Sequence, residues 1–507
     1  MRRGCPRLRF RSVPRVSTLL WALSVAAAAV FTTGCGSISP TATSVQGFTS
    51  VTLLLSSTLN DQLSNVYITF GSVSLTSQSG KTANLYNSSP ASGELPRYEF
   101  VHLNGNAEPL TTAIIPQDVY TSATVTIQSG SYMTCVAYNT PANPGGLEIF
   151  VDTPITTAAT PSTTTVNMPA SVTVTGNAMG IMLNMLLPQS VLSACTNYGS
   201  ASAIPTFNLT PVTFASQPTS GANGKEANLE GQIVVVNTAN NSFNLLLADG
   251  QALSFKSNGG TVYEGVKGFS ALTAGMFVDM DAAIQTDGSQ LATRVAVEDT
   301  NITDLTVTTG PVLWSAASEP YLNALLRQQQ GYLGPTAPQP NLYVAEVSYG
   351  TTSSVYQISP QFTNLQDLPF PATFDAANIV GGQNVYVTTH AATVALTGPV
   401  LAPASTITLM PQTLNGTVAG VSSSGDFQIY SVTLAPYDLP TVAATQTGQS
   451  STLANPNTVD VYVDNNTQLL NAQTLAPGGV FRFNGLLFND AGTLRMDCGV
   501  VNDGVAE

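Results

Sequence analysis

Pairs of aspartates are the residues of this sequence whose spacing could support catalysis. Asp279 and Asp281 lie two positions apart in an apolar segment, and Asp460 and Asp464 flank another. Glycoside hydrolysis needs two carboxyl groups, one acting as an acid and the other as a base or nucleophile. Residues two apart on a strand share a face, which places Asp279 and Asp281 side by side on the outward face. Exposed acids of this kind usually form a solvated face or protect an edge from pairing, and we interpret the pair in that way.

Histidine gives no catalytic or metal-binding pattern. His102 and His390 are the two histidines of the chain, and each ends a strand-like run without a companion at ligand spacing. The segment Asp464-Asn-Asn-Thr467 lacks the spaced aspartates and final glutamate of a calcium loop, so we interpret it as a turn. The short motifs of zinc peptidases, serine hydrolases and phosphate-binding loops are missing. The sequence therefore predicts no catalytic residue, no metal site and no cofactor.

Aromatic residues that would suit a sugar-stacking groove fall within strand patterns. Buried packing is the commoner use of such residues in strands. We therefore assign four of them to hydrophobic cores: Tyr263, Tyr356, Phe427 and Tyr462.

The N-terminus has the organisation of an export signal. An arginine-rich start precedes the apolar run from Thr18 to Phe31, which is too short to span a bilayer comfortably. The sequence Thr-Thr-Gly-Cys35 that follows resembles a bacterial lipoprotein signal, which implies cleavage before Cys35 and a diacylglyceryl thioether on its sulfur. The alternative is ordinary cleavage nearby and a secreted product. We predict a signal peptide at 1–34 and a flexible tether at 35–48.

Three cysteines would remain besides Cys35 after cleavage. Cys135 and Cys195 fall in one predicted domain of an exported chain, where a disulfide can persist. A bridge closing that loop would stabilise the domain by about 4 kcal/mol on the chain-entropy model. We predict a Cys135–Cys195 disulfide, with two separate buried thiols as the alternative. Cys498 continues an apolar alternation and is expected in a core.

The C-terminal half repeats one strand skeleton three times. Residues 231–299 contain alternating apolar positions, such as Leu291, Thr293, Val295 and Val297, which predict half-buried strands. Asp249-Gly250 and Asp287-Gly288 predict tight hairpins. In each copy a Gly precedes the fourth strand, where we expect a backbone conformation that a side chain would hinder: Gly275, Gly382 and Gly478. Each copy also begins with a Gly: Gly231, Gly310 and Gly416.

Five strands in about 70 residues is the spacing of a small OB-type barrel. The repeat resembles the bacterial family called domain of unknown function 5666, whose name states no activity. We predict OB-like repeats at 230–299, 300–410 and 411–507. The second repeat carries an insertion at 316–341, with a helix predicted from Ser318 to Gln330, and the third carries a loop insertion at 440–456.

Short alternating runs over 49–215 predict a β-sandwich. Segments such as Asn65 to Leu75, Ile115 to Tyr120 and Met168 to Ser171 resemble the family called domain of unknown function 4382, which occurs in bacterial envelope proteins. Residues 216–229 are a linker by composition. The predicted fold class is therefore all-β, an N-terminal β-sandwich followed by three small OB-like barrel repeats.

The charge distribution bears on partners. Only 9% of the residues are charged, and from Cys35 onward nine basic residues face 29 acidic ones, a formal charge of −20. Such a field repels phosphate backbones, so we expect no nucleic-acid partner. The expected partners are a membrane, reached through a lipid on Cys35, and an unidentified protein or glycan.

We expect a non-enzymatic protein of the cell envelope, anchored to it or secreted, that acts in binding, adhesion or scaffolding. The alternative is an extracellular glycan-acting enzyme that uses paired carboxylates. It requires two carboxyl groups about 5 to 10 Å apart across a cleft.

Overall fold

The computed structural model describes the chain from residue 47 onward, with gaps. The described residues are 47–58, 63–88, 97–101, 103–128, 131–140, 143–149, 153–154, 162–190, 205–213, 229–246, 252–299, 305–316, 319–325, 328–331, 334–335, 344–350, 353–359, 362, 365–390, 401–436, 438–441, 453–472 and 474–504. Residues 47–507 form one compact unit. The predicted signal peptide, Cys35 and most of the tether lie outside the described residues. Among the described residues, no helix has the length and apolar character needed to cross a bilayer.

The all-β fold predicted from the alternating pattern is confirmed. The described part of the N-terminal region contributes thirteen strands: β1 Phe48–Ser57, β2 Leu63–Ser77, β3 Thr82–Asn87, β4 Arg97–Glu99, β5 Glu108–Pro116, β6 Val119–Ile127, β7 Tyr132–Thr140, β8 Asn143–Ile149, β9 Thr153–Pro154, β10 Ser162–Val166, β11 Val172–Thr173, β12 Ala178–Met185 and β13 Phe207–Pro211. The only α-helix among the described elements of this region is one turn, α1, at Leu187–Ser190.

These strands form two packed sheets. One has four strands in the order β13-β12-β1-β5, and the other has nine strands built around β10-β6-β2-β7-β8. A single core lies between them and includes Val51 and Leu53 from the first sheet and Ile68, Phe70 and Val125 from the second. Alternate residues of each strand point into this core, as the period of two requires.

The first OB-like repeat, called module one from here on, follows the sandwich. Its strands are β14 Leu229–Asn237, β15 Ser242–Leu246, β16 Ala252–Lys256, β17 Val262–Glu264, β18 Phe277–Ile284 and β19 Gln290–Asp299, with a 3-10 turn at Phe269–Ala271. Antiparallel pairs join β14 to β15, β15 to β16, β14 to β18 and β18 to β19, while β16 and β19 pair in parallel and close the barrel. This is the five-stranded connectivity of an OB barrel. Strand β17 is a sixth strand of this sheet and pairs with β19 in parallel.

Modules two and three repeat this connectivity. Their strands are β20 Leu305–Ala316, β21 Glu319–Leu325, β22 Gln328–Gly331, β23 Gly334–Pro335, β24 Val344–Ser348, β25 Val355–Ile358, β26 Asn384–His390, β27 Leu401–Pro403, β28 Thr406–Ser424, β29 Phe427–Leu434, β30 Thr458–Val463, β31 Gln468–Leu470, β32 Val480–Asp490 and β33 Thr493–Asp503, with a 3-10 turn at Leu365–Asp367. The parallel closures are β24 with β27 and β30 with β33, and the added parallel strands are β25 and β31.

Strand β28 belongs to two barrels. Its residues up to Met410 pair with β26 of module two, and from Pro411 onward they pair with β32 of module three. The change of partner falls between Met410 and Pro411. There is no linker at this point, because one uninterrupted strand crosses it.

The helix predicted from Ser318 to Gln330 is wrong. Glu319–Leu325 form β21, which pairs with β20 on one side and β24 on the other. Helix capping signals contribute about 1 kcal/mol. Pairing with a strand on each side outweighs that preference.

The repeated glycines have a shared structural reason. In each module the residue two positions after the first Gly exchanges two backbone hydrogen bonds with the turn that precedes the fourth barrel strand. The nitrogens of Gly275, Gly382 and Gly478 donate to the carbonyl oxygens of Ile233, Val312 and Val418 at 2.7, 2.8 and 2.8 Å. The turn glycines have φ of 99°, 97° and 84°, a region that side chains rarely occupy, so the predicted need for Gly is confirmed.

Candidate functional site

The strongest cluster of ionisable groups in module one surrounds Arg294. Asp279 and Asp281 share one face of β18, Arg294 lies opposite Asp281 on β19, and Glu264 reaches the same guanidinium from β17. Arg294 Nη1 lies 3.0 Å from Asp279 Oδ2 and 3.8 Å from Asp281 Oδ2. Its Nε and Nη2 donate to the two oxygens of Glu264 at 2.9 and 3.0 Å. We call these four residues the Arg294 cluster.

Burial sets the electrostatics of this cluster. Asp279 and Asp281 are 5% and 3% exposed, so neither belongs to a solvated face. Desolvation raises the pKa of Asp279, although its hydrogen bond to Arg294 opposes the change. The more exposed Glu264 has a lowered pKa because it accepts hydrogen bonds from Arg294. Burial disfavours the charge on Arg294, but its bonds to Glu264 and Asp279 outweigh that effect and raise its pKa.

The interpretation of Asp279 and Asp281 as exposed acids is therefore wrong. The sequence shows that they share a face, but not that the strand β17 and a cationic side chain would complete that face. The arrangement ties three strands together through one guanidinium. Both aspartates point at Arg294 instead of presenting a free acid and base to a substrate.

A second arginine lies where modules two and three meet. Arg495 Nε is 2.7 Å from Asp490 Oδ2, and its Nη1 is 3.9 Å from Asp460 Oδ2 and donates to the Tyr462 hydroxyl. The ring centres of Phe370 in module two and Tyr462 lie 4.8 Å apart. The Arg495 guanidinium lies 5.5 Å from the centre of the Phe370 ring. This contact helps to fix one barrel against the other.

A third arginine, Arg482, is fully buried between module three and the sandwich. Its guanidinium donates to the Ser57 carbonyl, to Asn184 Oδ1 at 3.2 Å and to the Asp503 carbonyl at 2.7 Å. It also pairs with the Asp503 carboxylate at 3.2 Å. Sequence reasoning missed this residue. The signal was its register, because Asp279, Tyr386 and Arg482 each lie four residues after the turn Gly and all three are buried.

Several predicted residues lie within cores or turns. Tyr263 and Tyr356 pack against the cores of modules one and two, and Phe427 and Tyr462 are buried. Cys498 is fully buried in the core of module three, as its alternation predicts. The Asp464 side chain accepts hydrogen bonds from Asn466 and Thr467 within its own turn.

Four further residues singled out in the sequence are His102, Cys135, Cys195 and His390. His390 is the last residue of β26, and Cys135 lies on β7 opposite Leu63. The side chains of both, together with all of His102 and Cys195, lie outside the described residues. Within the described ranges, no group of three or more His, Cys, Asp or Glu is arranged to hold a metal ion.

The outer face of the nine-stranded sheet carries an uncharged array of hydroxyl groups. The array spans three paired strands, β10, β6 and β2, and consists of Ser72, Ser74, Thr124, Thr126, Thr163 and Thr165. Ser72 Oγ donates to Thr126 Oγ1 at 3.1 Å, and Thr126 Oγ1 lies 3.5 Å from Thr163 Oγ1. Contacts at this face would depend on hydrogen bonding instead of ion pairing.

Comparisons with known proteins give no family. No protein-family model matches the chain, and no curated protein matches its sequence. Two solved structures of a single-stranded DNA binding protein from Thermus aquaticus, a deletion mutant and the wild type, are similar at 11% sequence identity and a TM-score of 0.14. The similarity covers 40% of this chain and 95% and 93% of those chains.

The predicted exclusion of nucleic acid as a partner is corrected by this finding. It rested on the net charge and on the few basic residues of the first repeat, Lys256, Lys267 and Arg294, whereas the two solved structures are of a protein whose name states that it binds single-stranded DNA. Net charge describes the average field of a molecule, whereas a binding surface depends on local charge. A TM-score of 0.14 is too low to transfer a binding site or an activity to this chain.

Proposed function

We propose that this chain is a non-enzymatic protein of the bacterial cell envelope that acts as a binding, adhesion or scaffolding module. In this proposal residues 1–34 direct export and Cys35 carries the lipid that attaches the chain to the envelope. A Cys135–Cys195 disulfide stabilises the sandwich after export. The resemblances of the two halves to domains of unknown function 4382 and 5666 belong to the same proposal.

The burial of Arg482 is the observation that carries the proposal. An arginine of module three is fully enclosed by the sandwich strands β1 and β12 and by its own Asp503. Buried charged groups are costly unless they are paired and hydrogen-bonded, so this contact holds the two parts in one geometry. A rigid body that carries several outward faces suits scaffolding.

A shared apolar cluster supports the same conclusion. It joins the sandwich, module one and module three, and its members are Leu54, Ala107, Met182, Val212, Ile284, Leu470 and Val500. Polar contacts accompany it: Gln290 Nε2 of module one donates to the Ala107 carbonyl at 2.8 Å, and Thr413 Oγ1 of module three donates to the Asn104 carbonyl at 2.7 Å. The modules are therefore packed units and not separate beads.

Maturation of the full chain in a bacterial host tests the proposal. We expect fatty-acid label to enter the parent protein, and we expect Cys35→Ala to be unlabelled and to leave the membrane fraction. Mass spectrometry of a non-reducing digest should find an N-terminal lipidated Cys35 peptide and a linked Cys135–Cys195 pair.

Cys498→Ala is the matched control, since that thiol is buried in the core of module three and takes part in neither proposed modification. A labelled, membrane-bound Cys35→Ala protein would refute the anchor. Free thiols at both Cys135 and Cys195 would refute the bridge.

A further inference from the structure

The four-stranded sheet of the sandwich leaves two large apolar side chains in solvent. Phe48 on β1 is 62% exposed and Ile114 on β5 is 75% exposed. Pro116 lies opposite Phe48, and Ser50 lies opposite Ile114. The two side chains are therefore diagonal neighbours on one face, with Cα atoms roughly 7 Å apart. Strand β5 is at the edge of this sheet.

The middle of the same face, on β1 and β12, is covered by the barrels. Thr52, two residues beyond Ser50, packs against Gly288 in the β18–β19 hairpin of module one. Leu54 and Met182 pack against Ile284 and Leu470. The apolar end near Phe48 thus begins where the contact with module one ends. Ala178, which lies opposite Ser50 on β12, is exposed and extends this end without adding charge.

The position of Phe48 in the chain identifies what covers this apolar surface. Phe48 follows Cys35 by thirteen residues, and residues 36–47 between them contain no charged side chain. Even when fully extended, a segment of about twelve residues spans no more than roughly 40 Å. A lipid on Cys35 would hold the start of β1 within that distance of the bilayer.

Charge favours an uncharged lipid surface over an anionic one. From Cys35 onward the chain has a formal charge of −20, which repels anionic headgroups. Phe48, Ile114, Pro116 and Ala178 offer apolar surface instead. Aromatic and aliphatic side chains of this kind partition into the boundary between headgroups and acyl chains.

We propose that Phe48 and Ile114 insert into the interface of the membrane that carries the Cys35 lipid, which fixes the orientation of the whole unit on that membrane. The inference rests on the proposed attachment through Cys35. It adds a second contact that orients the protein, whereas the lipid retains it.

Tryptophan fluorescence on vesicles tests this docking. The lipidated protein that begins at Cys35 is bound to phosphatidylcholine vesicles with brominated acyl chains, as Phe48→Trp, as Ile114→Trp and as the control Val262→Trp. Val262 lies on β17 of module one and is 56% exposed. We expect a blue shift and loss of emission at positions 48 and 114 but not at 262. Trp314 is common to all variants and to the parent, whose signal is subtracted.

The outcomes separate the two proposals. A chain that does not bind vesicles overturns the attachment and the docking together. A vesicle-bound chain whose Phe48→Trp and Ile114→Trp signals are as unquenched as that of Val262→Trp overturns the docking alone. A dimer of Cys35→Ala in sedimentation that dissociates on Ile114→Ser would assign the surface to a second copy of this chain and overturn the membrane contact.

Discussion

Arg294 holds carboxylates from two neighbouring strands, and it does so with almost no access to water. Its ion pairs reach Asp279 on β18 and Glu264 on β17, and its own side chain is only 12% exposed. In a chain with few charged residues, such a cluster would attract attention as a catalytic candidate. Its geometry is that of a structural cross-link.

Asp279 and Asp287 should respond to pH in opposite directions. Burial raises the pKa of Asp279 above 3.8, so its ionisation lowers the free energy of unfolding as pH rises above 3.8. Burial also acts on Asp287, but hydrogen bonds from Ser289 and Lys256 outweigh it and lower its pKa. Asp287 therefore contributes stability that is present above 3.8 and is lost as pH falls through its folded pKa.

We expect Asp279→Asn to raise the free energy of unfolding at pH 7, because the amide buries no charge while its oxygen can still accept from Arg294. The gain should shrink as the pH falls toward 4. Asp287→Asn is the matched control and should lose stability at pH 7. Urea midpoints at the two pH values measure both effects. A loss of unfolding free energy in Asp279→Asn that grows with pH would contradict a structural role for Asp279 and favour a functional one.

The first strand of each barrel is shaped by its opening Gly and by a bulge that follows it. In modules one and three, the Gly that opens the repeat (Gly231 or Gly416) lies against a backbone carbonyl of the second strand. The first strand must bend at this position because it pairs with two neighbours. A bulge follows three residues after the Gly in every module, at Val234, Leu313 and Ala419. Bulges of this kind curve a strand and permit barrel closure.

Gly416→Ala should destabilise module three. The added Cβ would lie 2.5 Å from the Thr433 carbonyl oxygen, in a ladder that cannot move easily. We expect a cost of about 1 to 3 kcal/mol. Gly420→Ala, on the same strand, is the control, because its Cβ meets nothing within 4 Å. Thermal unfolding of the two variants compares them, and equal transition temperatures would show that the close approach has no energetic weight.

A bulge also explains one error in the predicted strand faces. Leu291, Thr293, Val295 and Val297 were expected on a single face, but the pairing of β18 with β19 shifts between Arg294 and Ala292. Thr293 is left without a partner, and Ala292 joins Val295 in the core. Strict alternation cannot anticipate an extra residue, because the signal for it lies in the neighbouring strand.

At the scale of the whole molecule, Arg482 couples regions that are far apart in sequence. Its partners Ser57 and Asn184 belong to the sandwich, 425 and 298 positions away. Together with the shared strand β28, this contact makes the sandwich and the barrels one unit.

Arg482→Met should loosen the sandwich as well as module three. The substitution leaves the Ser57 carbonyl and Asn184 Oδ1 without this donor, at a cost of about 3 kcal/mol. We expect faster amide hydrogen exchange in β1 and β12. Arg495→Met is the matched control, since Arg495 pairs with Asp490 and Asp460 of its own module. Unchanged exchange in β1 and β12 of Arg482→Met would contradict the coupling.

The sequence by itself determined the all-β class, the repeated connectivity and the need for Gly before the fourth barrel strand. These features depend on residues close together in the chain: the period of two, the turn glycines and the apolar runs. It also indicated that Cys498, Tyr462 and Phe427 would be buried, since each continues an alternation within its own strand.

Only the tertiary structure decided which outward faces are solvated. Alternation along the strand predicts an outward face for Asp279, Tyr386 and Arg482 alike, yet each is buried by a different neighbour. The strand at Glu319–Leu325 likewise depends on β20 and β24, not on its own helix signals. The physical reason is the same in both cases: the energy that decides burial and pairing comes from contacts with other strands, some of them hundreds of positions away.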